Sequence, residues 1–186
     1  MSKIVFTGAQ GTGKTTILEK FKEDGYNVIT GIIRNLAKRG VNINKDGDEN
    51  GQQTIFNEYK RLLTINSNYV SDRCLIDVTA YTIYLSKHGK VGGEFTDEML
   101  RQLHQFIAQN PDIIYCYFPI EFDVVADGVR DTDEEFRKEI NDIILALLKL
   151  LKIKFVYVTG DPEERYKIIR AVEELHMALD KLTVKL

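Results

Sequence analysis

The chain has 186 residues and a formal net charge of −3, with 44% hydrophobic and 28% charged residues. This composition is ordinary for a water-soluble globular protein and predicts one domain, 1–186, that folds without disulfides or a structural metal. The small negative charge disfavours a polyanionic partner such as DNA or RNA. The N-terminus carries no secretory signal, and no apolar stretch reaches ~18 residues, so we expect a cytoplasmic protein without a membrane partner.

Short apolar runs rich in β-branched and aromatic residues alternate with helical stretches along the chain, which is typical of a parallel sheet with crossover helices. The predicted strands are residues 3–8, 26–30, 68–72, 111–119 and 154–160. The predicted helices are residues 13–21, 32–40, 55–67, 80–88, 97–110, 136–151 and 161–182. Residues 41–54 lack an apolar period and are predicted to be a mobile loop, and Thr96 is a predicted N-cap. We therefore predict a three-layer α/β fold with a five-stranded parallel sheet flanked by helices.

The two cysteines, Cys74 and Cys116, each lie in an apolar, strand-like run. Their spacing does not match a metal site, and no further cysteine is present to form a disulfide framework. We expect both to be buried free thiols, as in a reducing compartment.

Residues 8–16, GAQGTGKTT, match the Walker A pattern G-x-x-x-x-G-K-[ST] directly behind the first predicted strand. The glycines let the backbone turn its N–H groups inward around phosphates, in conformations that a side chain would block. Lys14 is predicted to bridge the β- and γ-phosphates, and the Thr15 hydroxyl to bind Mg²⁺. The predicted nucleotide-binding residues of this P-loop are Gly8, Gly11, Thr12, Gly13, Lys14, Thr15 and Thr16.

Three classes of protein use such a loop, and each needs a second feature. Regulatory GTPases carry an N/T-K-x-D element after a late strand, whereas the NKDG at 44–47 is off-spacing. Motor ATPases end an apolar strand in Asp-Glu, whereas the fourth predicted strand runs into Pro119-Ile120-Glu121. Both classes are disfavoured, and a nucleotide-gated ATPase or binding switch is the non-kinase alternative.

A phosphotransferase needs a carboxylate and an arginine near the loop. Asp72 and Arg73 end the third predicted strand, and in a parallel sheet that edge faces the ligand. Asp72 is predicted to take a proton from an attacking hydroxyl or to bind Mg²⁺, and Arg73 to hold the acceptor; a surface ion pair is the alternative. Asp77 follows five residues after Asp72, with Tyr81 one helical turn later, and both are predicted to bind the substrate.

A kinase also needs a mobile, arginine-bearing lid. The predicted lid covers about 121–138, with Arg130 in a glycine-containing loop and Arg137 two helical turns further on. Arg130 is predicted to neutralise charge on the transferring phosphoryl group, and Arg137 to bind substrate. Pairing with acidic neighbours is the alternative for both. Arg165, after the fifth predicted strand, is predicted to flank an adenine.

The segments GAQGTGKTT, IIRNLA, SDRCLIDVTAY, ADGVR and KFVYVTGDPEER occur in this order. Together they resemble the small P-loop kinase family typified by the ribosylnicotinamide kinase domain of NadR, to which many phage nucleotide kinases belong. The resemblance extends from Ile4 to about Leu175, and the SDRCLIDVTAY block also resembles thymidylate kinases. It implies a P-loop kinase fold with a small lid, ATP and Mg²⁺ as the donor system, and a nucleoside or nucleotide acceptor. A phage-encoded member would act in the host cytoplasm.

The resemblance assigns Lys14 and Thr15 to the donor phosphates, Asp72 and Arg73 to the acceptor and metal, and Arg130 to the lid. Members of the family often carry a glutamate three residues before an arginine that follows the second strand. In this sequence Arg34 is retained, as a predicted substrate-binding residue, but the glutamate position is Gly31. Either Asp72 takes on more of the chemistry, or the acceptor differs from ribosylnicotinamide.

The sequence therefore predicts an ATP-dependent phosphotransferase that transfers the γ-phosphate to a hydroxyl or phosphate of a (deoxy)nucleoside or nucleoside monophosphate. We expect a monomer or homodimer. One alternative is a kinase that phosphorylates a hydroxymethylated base, of the 5-hydroxymethyluracil type, in phage DNA. The basic stretch 34–45 favours DNA as substrate, and the overall charge disfavours it.

Overall fold

The computed structural model describes residues 2–122 and 133–183. The strands are β1 (Lys3–Thr7), β2 (Val28–Ile29), β3 (Tyr69–Asp72), β4 (Ile113–Tyr117) and β5 (Phe155–Tyr157). The helices are α1 (Lys14–Glu23), α2 (Ile32–Lys38), α3 (Glu49–Ile65), α4 (Leu75–Lys87), α5 (Gly93–Gln109), α6 (Glu134–Leu150) and α7 (Pro162–Thr183). Arg130 and most of the predicted lid lie outside the described residues.

The five strands form one parallel sheet in the order β2-β3-β1-β4-β5. β1 is central and pairs on one side with β3, where Phe6 is opposite Asp72, and on the other with β4, where Thr7 is opposite Tyr117. The carboxyl ends of the strands therefore meet at one edge. The chain leaves β1 at that edge through the P-loop, at the point of the strand order where α/β sheets bind ligands.

Alternating strand residues build two cores, one on each face of the sheet. Ile4 and Phe6 of β1 pack with α1 and α7 on one face, in a cluster that includes Phe21 and Ile169. Val5 belongs to the larger cluster on the other face, which α3, α4, α5 and α6 cover. Strands buried on both faces need continuous apolar sequence, which the strand runs provide. The predicted α/β fold and its five-stranded parallel sheet are confirmed.

The predicted loop at 41–54 is wrong in its second half, because α3 begins at Glu49. The Asp48 side chain caps this helix by accepting a hydrogen bond from the Gly51 N–H at 2.7 Å. The first turn of α3 is polar and shows no apolar period. The sequence feature that indicates the start of this helix is the N-cap residue Asp48. A short 3₁₀ turn, Asn44–Asp46, precedes it.

Thr96 is not an N-cap, since α5 begins at Gly93 and Gly92 is its N-cap. The Thr96 hydroxyl instead donates to the Gly92 carbonyl at 3.0 Å from within the first turn. Cys74 and Cys116 are buried free thiols, as the sequence predicts. Among the described residues, no helix combines the length and apolar character needed to cross a bilayer.

Candidate functional site

A cleft of about 320 Å³ opens at the carboxyl edge of the sheet, beside the P-loop. Its walls are residues 10–16, residues 30–34, Ile43, Asn44, Tyr59, Asp72, Arg73 and Phe122. It therefore brings together most of the P-loop residues with three residues predicted from distant segments, Arg34, Asp72 and Arg73. Gly8, Asp77, Tyr81, Arg137 and Arg165 are not among its lining residues.

The P-loop backbone adopts conformations that require glycine at two positions. Gly8 has φ +141°, and a Cβ there would lie 2.4 Å from the carbonyl oxygen of Phe118. Gly13 has φ +82°, and a Cβ there would lie 2.7 Å from Nη1 of Arg165. The Gly8 contact is with backbone and excludes an alanine, whereas at Gly13 the positive φ is what favours glycine, because the Arg165 side chain can shift. The loop therefore closely approaches the segment after β4 and the start of α7.

The side chain of Lys14 is buried at the centre of the loop. Its Nζ donates to the carbonyl oxygens of Gly8 at 2.8 Å and Ala9 at 2.6 Å, and to the Thr12 hydroxyl at 3.0 Å. Thr15 follows at the start of α1 with an exposed side chain that lines the cleft. The loop thus concentrates a cation and a hydroxyl at the helix N-terminus, where anions are favoured.

Asp72 and Arg73 lie at the cleft end of β3. Asp72 is half-buried, and its backbone carbonyl accepts a hydrogen bond from the Tyr59 hydroxyl at 3.1 Å. Arg73 has φ +79°, a strained backbone conformation for an arginine. The Arg73 N–H donates to the Phe6 carbonyl at 2.9 Å, and the Arg73 carbonyl accepts from the Ser71 hydroxyl at 2.8 Å. These bonds hold the strained turn that carries Arg73 into the cleft.

Arg73 lines both the cleft and a smaller cavity of about 40 Å³. Its Nη1 is 3.7 Å from Oδ1 of Asp77, and its guanidinium carbon lies 5.5 Å from the centre of the Tyr81 ring. Asp77 and Tyr81 line the smaller cavity together with Gln52. The two predicted substrate-binding residues thus contact Arg73 from behind the main cleft.

Asp77 connects the start of α4 to the P-loop. It is 1% exposed, and its carboxylate accepts from the Gly8 N–H at 3.2 Å and the Cys74 N–H at 3.0 Å. Burial raises the pKa of Asp77 above its ordinary value of 3.8, and the nearby Arg73 and Lys14 oppose this rise. The contacts are those of a residue that fixes the loop, and its predicted binding of substrate stays a prediction.

We expect Asp77→Asn to lower the free energy of unfolding by about 1–3 kcal/mol, because the amide accepts only one of the two N–H bonds. The raised pKa means that the folded chain binds the Asp77 proton more tightly than the unfolded chain does. Tighter proton binding stabilises the folded wild type below pH ~4, and this stabilisation is lost as the pH rises through the raised pKa of Asp77. Asparagine does not titrate, so the variant has no such stabilisation to lose. Urea denaturation at several pH values measures the free energy of unfolding of both proteins. The difference between the two values should narrow as the pH rises. A difference that widens with pH would contradict a raised pKa.

Arg137 and Arg165 lie behind the P-loop rather than in the cleft. They are 1% and 2% exposed. Arg137 donates to the carbonyls of Gln10 and Gly11, and Arg165 to the carbonyl of Thr12. Their predicted contacts with substrate and adenine are untested, and the described structure directs both guanidiniums toward the protein backbone.

The cleft residues that sequence reasoning missed include Tyr59, Asn44 and Phe122. Tyr59 had a signal in the sequence, because it continues the apolar face of α3 that includes Ile55 and Phe56. Asn44 lies in the 3₁₀ turn with φ +55°, and Phe122 is an exposed aromatic, 46% accessible, after β4. Neither belongs to a periodic pattern, so only the folded chain reveals them.

Residues 3–165 match a family model, AAA_28, described as an AAA domain. The chain belongs to this family. The match includes β1, the P-loop, Asp72 and Arg73, and it ends at Arg165. No curated protein matches the chain.

Solved structures of P-loop kinases share the fold of this AAA domain. A NadR protein in complex with NR is 18% identical with a TM-score of 0.70, over 93% of this chain and 51% of that one. A deoxyadenosine kinase from M. mycoides with bound dATP is 16% identical with a TM-score of 0.69, over 94% and 100%. A thymidylate kinase from Candida albicans is 13% identical with a TM-score of 0.59, over 95% and 92%.

The chain spans about half the length of the NadR structures that it matches. At these identities the likeness establishes the fold, and it confirms the resemblance to small P-loop kinases seen in the sequence.

Proposed function

We propose that the protein is an ATP-dependent phosphotransferase whose acceptor is a (deoxy)nucleoside or a nucleoside monophosphate. The observation that supports this proposal is the cleft of about 320 Å³, whose walls include the P-loop together with Asp72, Arg73 and Arg34. A switch or motor hydrolyses its nucleotide and needs no acceptor site. Polar residues from outside the loop that line the same cleft favour a second substrate. The kinase fold of the structural neighbours supports the same reading.

The donor half of the site is the P-loop. Lys14 would neutralise charge on the β- and γ-phosphates, and the loop N–H groups would hold their oxygens. Mg²⁺ fits the donor chemistry, because the Thr15 hydroxyl and the Asp72 carboxylate line one cleft and hard oxygen ligands are those it prefers. No cluster of three acidic, histidine or cysteine side chains that could hold a metal occurs in residues 2–122 and 133–183. The Thr15 hydroxyl and the Asp72 carboxylate would be two protein ligands, and this number suits Mg²⁺, which takes its other ligands from phosphates and water. When bound, it supplies charge neutralisation for the transferring phosphoryl group.

The proposed acceptor half consists of cleft residues from outside the P-loop. Arg34 is exposed at the start of α2, and Arg73 is held in the strained turn after β3. Both are cations that can hold a polar or anionic acceptor group. Gly31, in place of the family glutamate, leaves Asp72 as the carboxylate that lines this cleft among the described residues.

The proposed reaction forms a bond between the acceptor oxygen and the γ-phosphorus, and breaks the bond from that phosphorus to the β,γ-bridging oxygen. A hydroxyl acceptor loses its proton to Asp72, and ADP leaves with the bridging oxygen. A phosphate acceptor is already ionised near pH 7 and needs no base. The site therefore accommodates either acceptor class, with different demands on Asp72.

Incubation with γ-labelled ATP, Mg²⁺ and a panel of nucleosides, nucleoside monophosphates and oligonucleotides tests this proposal. We expect label in a small nucleoside or nucleotide product, formed only when the acceptor is present. Label in an oligonucleotide would instead favour the DNA-base kinase. Release of inorganic phosphate at the same rate with every acceptor and with none would contradict the proposal and favour a nucleotide-gated ATPase.

A further inference from the structure

Two buried arginines hold the outer side of the P-loop. Arg137, on α6, donates from Nε to the Gln10 carbonyl at 3.0 Å and from Nη2 to the Gly11 carbonyl at 3.2 Å. Arg165, on α7, donates from Nη1 to the Thr12 carbonyl at 2.6 Å. Three consecutive carbonyls of the loop are thus bonded to guanidinium groups that come from 126, 127 and 153 residues further along the chain. We call Arg137 and Arg165 the arginine pair.

Further contacts fix the arginine pair itself. Arg137 also donates from Nη2 to the Phe122 carbonyl at 2.8 Å and from Nη1 to Glu134 at 3.2 Å. Arg165 forms an ion pair with Glu121, and its guanidinium carbon lies 5.2 Å from the centre of the Phe122 ring. Buried guanidinium groups are stable only with such partners. In this arrangement both guanidinium groups bind the protein itself rather than an adenine or an acceptor.

Peptide geometry links these carbonyls to the phosphate side of the loop. In a trans peptide the C=O of one residue and the N–H of the next point in opposite directions, and the described residues contain no cis peptide. With the carbonyls of residues 10–12 directed at the arginine pair, the N–H groups of Gly11, Thr12 and Gly13 point away from it. Gly11, Thr12 and Gly13 line the cleft whereas Arg137 and Arg165 do not, from which we infer that these N–H groups point toward the cleft. Gly11 and Gly13 have φ +67° and +82°, as in the backbone nests that bind anions.

We propose that Arg137 and Arg165 are positioning residues that set the polyphosphate affinity of the P-loop through its backbone, without touching the nucleotide. The inference rests on the proposed function only in that the loop binds a polyphosphate. The planar guanidinium suits this role, because the fork of Arg137 reaches two successive carbonyls at fixed spacing, which a lysine ammonium does not reproduce. Gly13 is part of the same arrangement, since a Cβ there would overlap Nη1 of Arg165.

Calorimetric titration of Arg137→Lys and Arg165→Lys with tripolyphosphate and with ATP, in Mg²⁺, tests the proposal. We expect each variant to bind both ligands about 10- to 100-fold more weakly, since one or two charge-assisted hydrogen bonds no longer orient the loop. Arg101→Lys is the matched control, because Arg101 is 70% exposed on α5 and forms an ion pair with Glu98 at 2.7 Å. It should bind as the wild type does.

Tripolyphosphate separates this role from direct contact with other groups. If Arg165 contacted adenine, its variant would lose affinity for ATP and keep it for tripolyphosphate. If Arg137 contacted only the acceptor, its variant would bind both ligands normally. Either result, with an unchanged thermal unfolding midpoint, would overturn the proposal. Failure to phosphorylate any acceptor would contradict the proposed function and leave these binding measurements intact.

A second measurement uses the wild type and does not depend on the folding of a variant. In ¹⁵N-labelled protein, tripolyphosphate should shift the amide protons of Gly11, Thr12 and Gly13 downfield, because all three would donate to phosphate oxygens. If these three amides do not respond while the protein is saturated with ligand, the orientation that the arginine pair is proposed to set is wrong.

Discussion

Lys14→Ala is expected to lower kcat/KM for phosphoryl transfer on the order of 10³-fold or more, which brings the rate close to background. The Lys14 ammonium is held inside the loop by two backbone carbonyls and the Thr12 hydroxyl. A triphosphate seated in the loop would offer this cation stronger, charged acceptors. Alanine removes the one charge buried at the centre of the loop, so the loss falls on the transition state, where negative charge on the transferring group is greatest.

The folded structure should persist in this variant, although with lower stability. The carbonyls of Gly8 and Ala9 lose a donor, which costs about 1–3 kcal/mol of unfolding free energy if water does not replace it. Lys22→Ala is the control on the same helix, since Lys22 is 61% exposed and pairs with Glu19 at 3.7 Å. Steady-state assays with circular dichroism decide the outcome. A folded Lys14→Ala protein with wild-type kcat/KM would remove the P-loop from the proposed chemistry.

The part of the site that could be predicted from sequence is the part encoded by local spacing. The P-loop pattern occupies eight consecutive residues, 8–15, and its strand-loop-helix context follows from the apolar run before it and the apolar face of α1 after it. Asp72 and Arg73 could be placed at the cleft because a parallel sheet brings all carboxyl strand ends to one edge. In the structure Phe6, near the end of β1, pairs with Asp72 at the end of β3, so both strand ends lie at the same edge.

The contacts of the Arg137 and Arg165 side chains could not be predicted from local spacing. Arg137 and Arg165 are each long enough to reach several groups, and the acidic residues nearby offer competing partners. The P-loop carbonyls bonded to them come from more than a hundred residues earlier in the chain. Which partner each arginine takes depends on how α6 and α7 pack behind the loop, and residue spacing carries no information on that packing.

The same limit applies to Asp77. Its position on α4, five residues after Asp72, was compatible with a site-facing carboxylate. In the fold the α4 helix begins at Leu75, so the Asp77 carboxylate lies in the first turn and bonds back to the Cys74 N–H as well as to Gly8. Because the helix starts five residues before the predicted position, the Asp77 carboxylate contacts the P-loop backbone and does not line the main cleft.

Asp72→Asn is expected to lower kcat on the order of 10²-fold if Asp72 takes the proton of a hydroxyl acceptor. The amide keeps the shape of the side chain and the hydrogen bond from Tyr59, which goes to the Asp72 backbone carbonyl. It removes the negative charge and the capacity to accept a proton. Asp112→Asn is the matched control, because Asp112 is 51% exposed and pairs with Lys3, just before β4 and away from the cleft.

The two roles of Asp72 predict different dependences on metal and acceptor. If Asp72 acts as the base, kcat should fall at every Mg²⁺ concentration with a nucleoside acceptor and change far less with a nucleoside monophosphate, which is ionised near pH 7. If Asp72 mainly binds the metal, the half-saturating Mg²⁺ concentration should rise for both acceptors, and excess Mg²⁺ should restore the rate. An unchanged kcat and Mg²⁺ dependence with every acceptor would reject both roles. Comparing the loss of kcat with a nucleoside and with a nucleoside monophosphate therefore reports the role of Asp72 and the acceptor class together. Only a hydroxyl acceptor needs a base, and Gly31, at the position of the family glutamate, cannot act as one.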